Sequence, residues 1–180
     1  MADRDVLSVE PNMQPSAEEL REQIVGLLPR LRRFARTLAR NSHDADDIVQ
    51  IAIERALARL EQLRPDSRLS SWLFGIVRNA WIDEVRARGR HGRIFAAEEL
   101  GAQVGDDSIA AAADVLSVQD ALGRLPDDQR TAVGLVLVEG LSYKEAARVM
   151  DVPIGTLTSR LARGREALQA MLGETTGDVS

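Results

Sequence analysis

The chain has 180 residues, no cysteine, few aromatic residues (3%) and a formal net charge of −5. The missing cysteines exclude disulfides, thiolate metal sites and a thiol nucleophile. No apolar run is long enough to span a bilayer, and the N-terminal MADRDVLSVEPNMQP lacks a basic start followed by a hydrophobic core, so a soluble, cytoplasmic protein without membrane insertion is expected. Abundant alanine, leucine and arginine favour helix. No period-two alternation is long enough to argue for a sheet, and an all-α fold is expected.

Residues 1–16 are polar and contain Pro11 and Pro15, which predicts a mobile tail. A first helical block begins near Ala17. Leu20, Ile24, Leu27, Leu28, Leu31, Phe34, Ala35 and Leu38 fall on one face of a single helix, or of two helices separated near Pro29. Asn41-Ser42-His43 reads as a connection, and a helix over 44–60 restarts the period with Ile48, Ile51, Ala52, Leu57 and Leu60. Asp44, Asp46 and Asp47 sit in its first turn, where acids meet the positive end of the helix dipole. With His43 they suggest a metal site, but no second cluster completes a coordination sphere, and none is predicted. Glu54 and Arg55 extend a charged surface suited to a protein partner.

The stretch 63–70, LRPDSRLS, holds a proline and two serines and is expected to be a loop, with Ser70 or Ser71 capping a helix that begins at Trp72. That helix, SWLFGIVRNAWIDEVRARGR, has an apolar side of Trp72, Leu73, Ile76, Ala80, Trp81 and Val85. Gly75, Arg78, Asn79, Asp83, Arg86 and Arg90 line the opposite side. A solvated charged face gives the same pattern. The flanking loop, with Arg64 and Arg68, points instead to nucleic acid: it could receive an extruded base while the helix holds the strand.

Charge is segregated along the chain. Seven arginines stand at 64, 68, 78, 86, 88, 90 and 93 against Asp66, Asp83 and Glu84. From 94 to 128 eight acids face Arg124 alone, and the chain then turns basic again. Two nucleic-acid-facing modules joined by a phosphate-avoiding segment would show this pattern. The expected domains are accordingly 17–93 and 115–173, with a flexible acidic linker over 94–114 and a disordered tail over 174–180.

In the second block three or four helices fit. Leu125-Pro126-Asp127-Asp128 looks like a helix start and Gly140 a helix stop. Residues 141–165, LSYKEAARVMDVPIGTLTSRLARGR, read as two helices broken by a tight turn. Ser142 and Glu145 form the S-x-x-E capping box, Ala147 is small enough for close helix packing, and Asp151 stands where a left-handed residue is needed, one of the few side chains that tolerate it. Pro153 suits the start of the next helix. There Leu157, Leu161, Gly164, Leu168 and Leu172 form a buried stripe, leaving Thr156, Ser159, Arg160 and Arg163 on the other face, groups that reach phosphates and guanine edges. A helical hairpin of no nucleic-acid function would share the amphipathic pattern. His43 and His91 offer no catalytic pairing, and no nucleophile with its base, glycine-rich phosphate loop or paired-carboxylate site is present; neither catalytic residues nor a cofactor are predicted.

Three stretches, DADDIVQIAIERAL, SWLFGIVRNAWIDEVR and the segment from Leu122 ending in GLSYKEAARVMDVPIGTLTSRLARGR, occur in the order and spacing of bacterial extracytoplasmic-function (ECF) sigma factors, which the chain resembles from Leu20 to Leu172. The resemblance implies two helical domains, sigma regions 2 and 4, in a non-enzymatic factor that binds core RNA polymerase and directs it to promoters, often in a stress response. It implies that Asp44, Asp46, Asp47, Ile48, Gln50 and Glu54 dock on the polymerase β′ clamp helices, and that 125–141 faces the β flap. Arg64, Asp66, Ser67, Arg68, Arg78, Asn79, Asp83 and Arg86 would capture the melted minus-10 strand. Gly155, Thr156, Ser159, Arg160 and Arg163 would read the minus-35 element, and an anti-sigma factor would clamp both domains, in some cases at the membrane. Sparse aromatics on the melting face fit stringent promoters. Pro65 and Asp151 depart from the family pattern. A self-sufficient helix-turn-helix regulator and a sigma-like decoy for an anti-sigma factor are the competing readings.

Overall fold

The computed structural model describes residues 15–39, 41–63, 68–95 and 118–173, with 89–95 described by backbone alone. The expected N-terminal tail to Gln14, loop residues 64–67, the linker residues 96–117 and the tail 174–180 lie outside the described residues.

Helix α1 (Ala17–Leu38) begins at a capping box: the Glu19 amide donates to Ser16 Oγ at 3.2 Å and the Ser16 amide donates to Glu19 Oε2 at 2.6 Å. Pro29 lies inside it and does not split it. The proline removes one backbone bond, but Ile24 on one side and Leu31, Phe34, Ala35 and Leu38 on the other are buried and hold the helix through the gap. Helix α2 (Ser42–Leu57) starts two residues earlier than expected because Asn41 caps it, its Oδ1 accepting from the Asp44 amide at 2.8 Å. It ends at Leu57, and Leu60 falls in a short 3₁₀ turn, Leu60–Gln62.

Helix α3 (Leu69–Phe95) starts three residues ahead of the expected Trp72, so Ser70 and Ser71 lie inside it and cap nothing; the Arg68 carbonyl accepts from the Trp72 amide at 3.1 Å. It also extends past Ile94, where the linker was expected to begin. Its buried line is Leu73, Phe74, Val77, Ala80 and Trp81, whereas Trp72, Ile76 and Val85 are only half-buried. The apolar stripe is thus rotated from the expected one, toward α1, where Phe74 meets Phe34 edge-to-face at 5.3 Å. Helices α1, α2 and α3 pack mutually into the first unit.

Helices α4 (Val118–Arg124), α5 (Asp127–Val133), α6 (Tyr143–Met150) and α7 (Ile154–Gly173) form the second unit, with α5 continuing into a π-helical turn, Gly134–Val138. Gly140, at φ +69°, ends this segment as its sequence suggested. Gly164 lets α7 approach α5: a Cβ there would lie 2.9 Å from Val133 Cγ2. The two units dock through α3 on α6 and through α1 on α5 and the π turn, and their apolar core is continuous.

Candidate nucleic-acid interface

The helix-turn-helix is built from local hydrogen bonds that its sequence dictates. Glu145 accepts from the Ser142 amide at 3.0 Å, and the Glu145 amide donates to Ser142 Oγ at 3.3 Å. The Ser142 hydroxyl, which donates to Glu145 Oε2 at 2.7 Å, and then the Ser142 amide hold the Glu145 carboxyl below its ordinary pKa. At the other end of α6, Asp151 adopts φ 53°, ψ 51°; its amide donates to the Arg148 carbonyl and that of Val152 to Ala147, both at 3.1 Å. This is a Schellman closure with aspartate in the place usually held by glycine. Pro153 sits one residue earlier than expected, at the cap of α7: its carbonyl accepts from the amides of Thr156 and Leu157.

On α7, Leu157, Leu161 and Gly164 are buried and Leu168 and Leu172 half-buried, as their spacing requires. Gly155, Ser159 and Arg163 are exposed, and Thr156 and Arg160 half-buried. The Ser159 hydroxyl donates to the Thr156 carbonyl at 2.9 Å. Arg160 is held by Asp128 of α5 at 2.7 Å, a pair that fixes where the guanidinium points.

On the first unit, Arg78 is half-buried, and Asn79, Asp83 and Arg86 are exposed along one side of α3. Arg78 is pushed below its ordinary pKa by burial. Asp83 pairs with Arg55 of α2 at 2.8 Å. Arg55, grouped from the sequence with Glu54 on a partner surface, lines with Arg59 the same groove as Arg78 and Arg86. The signal was present: Arg55 and Arg59 are one turn apart, beside the buried Ala52 and Ala56. Arg68 pairs with Glu145 of α6 at 2.8 Å. The three other loop residues, Arg64, Asp66 and Ser67, lie outside the described residues.

The acidic face of α2 divides in two. Asp46, Asp47, Gln50 and Glu54 are exposed, whereas Ile48, at 1% exposure, is a core residue and presents nothing to a partner. Asp44 is tied to Arg88 of α3 at 2.6 Å, and this bond keeps its pKa low. Asp47 pairs with His43 and Asp46 approaches Arg32.

An arginine-lined helix in one all-α unit and a helix-turn-helix in the next define a two-module protein of the sigma-70 class. Sigma-70 region 2 matches residues 24–91 and sigma-70 region 4 matches residues 116–168. The chain is 38% identical over 161 residues to the ECF RNA polymerase sigma factor EcfG of Rhodopseudomonas palustris, covering 88% of this chain and 87% of that one. It is 40% identical over 143 residues to SigM of Mycobacterium tuberculosis, covering 79% and 71%. Its fold is similar to that of the sigma factor RpoE of Bartonella quintana, solved with the anti-sigma factor NepR, at a TM-score of 0.75 and 31% identity over 90% of this chain and 99% of that one. CnrH, solved with the cytosolic domain of CnrY, is similar at a TM-score of 0.65 and 26% identity over 88% and 90%. The chain belongs to the ECF sigma factors: it is an alternative sigma factor that directs RNA polymerase to promoters.

Proposed function

We propose a division of this activity between two modules, residues 17–93 and 115–173. In the first, the exposed Asp46, Asp47, Gln50 and Glu54 of α2 dock on the β′ clamp helices, while Arg68, Arg78, Asn79 and Arg86, with Arg55 and Arg59, hold the melted minus-10 strand. Asp83 positions Arg55 in this face. In the second, α7 enters the major groove at the minus-35 element, with Gly155 and Thr156 at its start and Ser159, Arg160 and Arg163 on the DNA side. The protein catalyses nothing itself; it works in the cytoplasm, bound to polymerase on the nucleoid. An anti-sigma factor is its expected inhibitor, since the sigma factors of similar fold were solved with NepR and CnrY.

The observation that supports this reading best is that each module carries an arginine-bearing helix face, on α3 and on α7, which meet at one groove lined by Arg78, Arg86 and Arg160, while the exposed Asp46, Asp47 and Glu54 of α2 do not line it. Run-off transcription with reconstituted holoenzyme, followed by start-site mapping, tests it. Transcripts that begin downstream of two shared elements are expected. An active core enzyme that gains no promoter-dependent transcription would falsify the reading, and high-affinity duplex binding by the protein alone would favour a self-sufficient regulator.

A further inference from the structure

The two units are closed on one another beside the face assigned above to the melted strand, where Arg78 is half-buried while Asn79 and Arg86 stay exposed. Glu139, just beyond the π turn of the second unit, has a side chain with no exposed surface. Two arginines of α1 reach it. Arg33 donates from Nε to Oε1 at 2.8 Å and from Nη2 to Oε2 at 3.0 Å; Arg30 donates from Nε to Oε2 at 3.1 Å and from Nη2 to the Glu139 carbonyl oxygen at 2.8 Å. Charge-assisted, bidentate bonds to a desolvated carboxylate are strong and directional. Hydrogen bonds donated to Glu139 raise the Arg33 pKa.

Beside this clamp the backbones come close at Gly134. A Cβ there would lie 3.1 Å from Thr37 Cγ2 and 3.2 Å from Phe34 Cε2, and its three nearest neighbours all belong to α1. Farther along the interface, Arg68 is paired with Glu145, and Arg78 is half-buried near Asp128, Arg160 and Asp151, the two carboxylates favouring its charge and Arg160 opposing it. Carboxylates of the second unit thus stand where strand phosphates would meet the first. The contact is not seamless: Trp81 Nε1 and Arg130 Nε are buried in it without a protein hydrogen-bond partner, although Arg130 lies over the Trp81 ring at 6.0 Å. Buried donors of this kind favour opening, so the clamp at Glu139 has a specific energetic task.

We propose that this closure is a self-inhibited resting state, in which the second unit engages Arg68 and half-buries Arg78 of the first unit's arginine face and Glu139, held between Arg30 and Arg33, is the latch. The proposal rests on the assignment of the Arg78 face to the strand. Single-stranded DNA competes with Glu145 for Arg68 and with the packed second unit for access to Arg78, and whatever separates the units frees the face.

Because the chain has no native cysteine, Gln23→Cys and Gln169→Cys, both at exposed positions, place a donor and an acceptor dye on the two units of the full protein. Two further changes then test the latch. Glu139→Gln removes its charge, and Gly134→Leu drives a wedge between the units, directed at α1 and away from the second unit's own core. The wedge keeps the test informative if Glu139→Gln impairs folding, with helix content by circular dichroism as the check. Energy transfer is expected to fall in both. Binding of a random-sequence single-stranded DNA at low salt is expected to tighten about tenfold, as recovered phosphate contacts would produce, and Arg78→Ala in the wedged protein is expected to reverse that gain. Unchanged transfer in both variants overturns the latch. Separation without tighter binding overturns self-inhibition, whereas a gain that Arg78→Ala leaves intact overturns the strand-face assignment instead.

Discussion

Asp151 concentrates several demands in one residue. Its left-handed backbone turns the chain from α6 into α7, and among the described residues no other non-glycine has a positive φ. Alanine in that conformation costs about 1–2 kcal/mol, and it lacks the short polar side chain through which aspartate tolerates it. Asp151→Ala is therefore expected to lower unfolding stability by about 1 kcal/mol, with Asp151→Gly near neutral, both checked by urea denaturation. Ser142 and Glu145 set the other end of α6. Loss of the cap in Ser142→Ala is expected to cost about 1 kcal/mol. Glu145 adds a pH dependence whose sign follows from its lowered pKa. In the unfolded chain a glutamate protonates near about pH 4.3; the unfolded state takes up the proton first, so the stabilisation is complete above that pH and is lost as pH falls through it toward the lower native value. Glu145→Gln should flatten this acid limb in urea midpoints measured from about pH 6 to about pH 3. The turn and the capping box were legible in the sequence because each is decided by a few neighbouring residues, and the buried stripe of α7 because its spacing of three and four repeats along the helix. Ile48 and Arg55 were misplaced because their neighbours on other helices decide which way they face: Ile48 enters the core, and Arg55 is drawn to Asp83.

Among the helices, α5 and α7 show how one glycine sets an interhelical distance. A Cβ on Gly164 would lie 2.9 Å from Val133 Cγ2 and 3.3 Å from the Gln129 carbonyl oxygen, a backbone atom that cannot rotate away. Gly164→Ala is expected to destabilise the second unit by about 1–3 kcal/mol, the range of overpacked cores. Gly155→Ala, where a Cβ meets nothing within 4 Å, is expected to gain up to about 1 kcal/mol of helix propensity. Thermal unfolding of the pair separates packing from propensity: equal effects of one sign would refute the close-approach role of Gly164. Helix boundaries were legible where a polar cap announces them, as at Ser142. They were missed at α2, whose Asn41 cap reads as part of a connection, and at α3, where the adjacent Ser70 and Ser71 suggested a cap although Leu69 is already helical; at Pro29 the single-helix alternative holds, because burial on both sides outweighs the disruption. The apolar side of α3 was misjudged for a related reason. Trp72 and Ile76 border the arginine face, while Phe74 and Val77 point at α1.

For the molecule as a whole, the docking of the two units was invisible in the sequence. The Arg30 and Arg33 contacts to Glu139 span 109 and 106 residues, and no local pattern marks three charged residues as partners at that range. What the sequence does carry is segregation of charge, which gives a chain of net charge −5 distinct arginine-rich and acid-rich stretches, the ones proposed above to meet DNA and polymerase. That segregation makes the two tasks separable by mutation. Arg160, paired with Asp128 inside the second unit, reaches no polymerase-facing acid of α2. Arg160→Ala is expected to weaken minus-35 binding by about 1–3 kcal/mol if the guanidinium is bidentate to guanine, with holoenzyme assembly unchanged. Asp47→Arg is expected to do the reverse, impairing assembly with core enzyme while leaving promoter choice intact in the holoenzyme that does form. Because the two residues share no partner, their effects on overall promoter occupancy should add to within about 0.5 kcal/mol. Native-gel titration of core enzyme measures the first step, and promoter binding by purified holoenzyme measures the second. Both variants failing at the same step would show that the two faces act as one surface, and the assignment of α2 and α7 to different partners would fall.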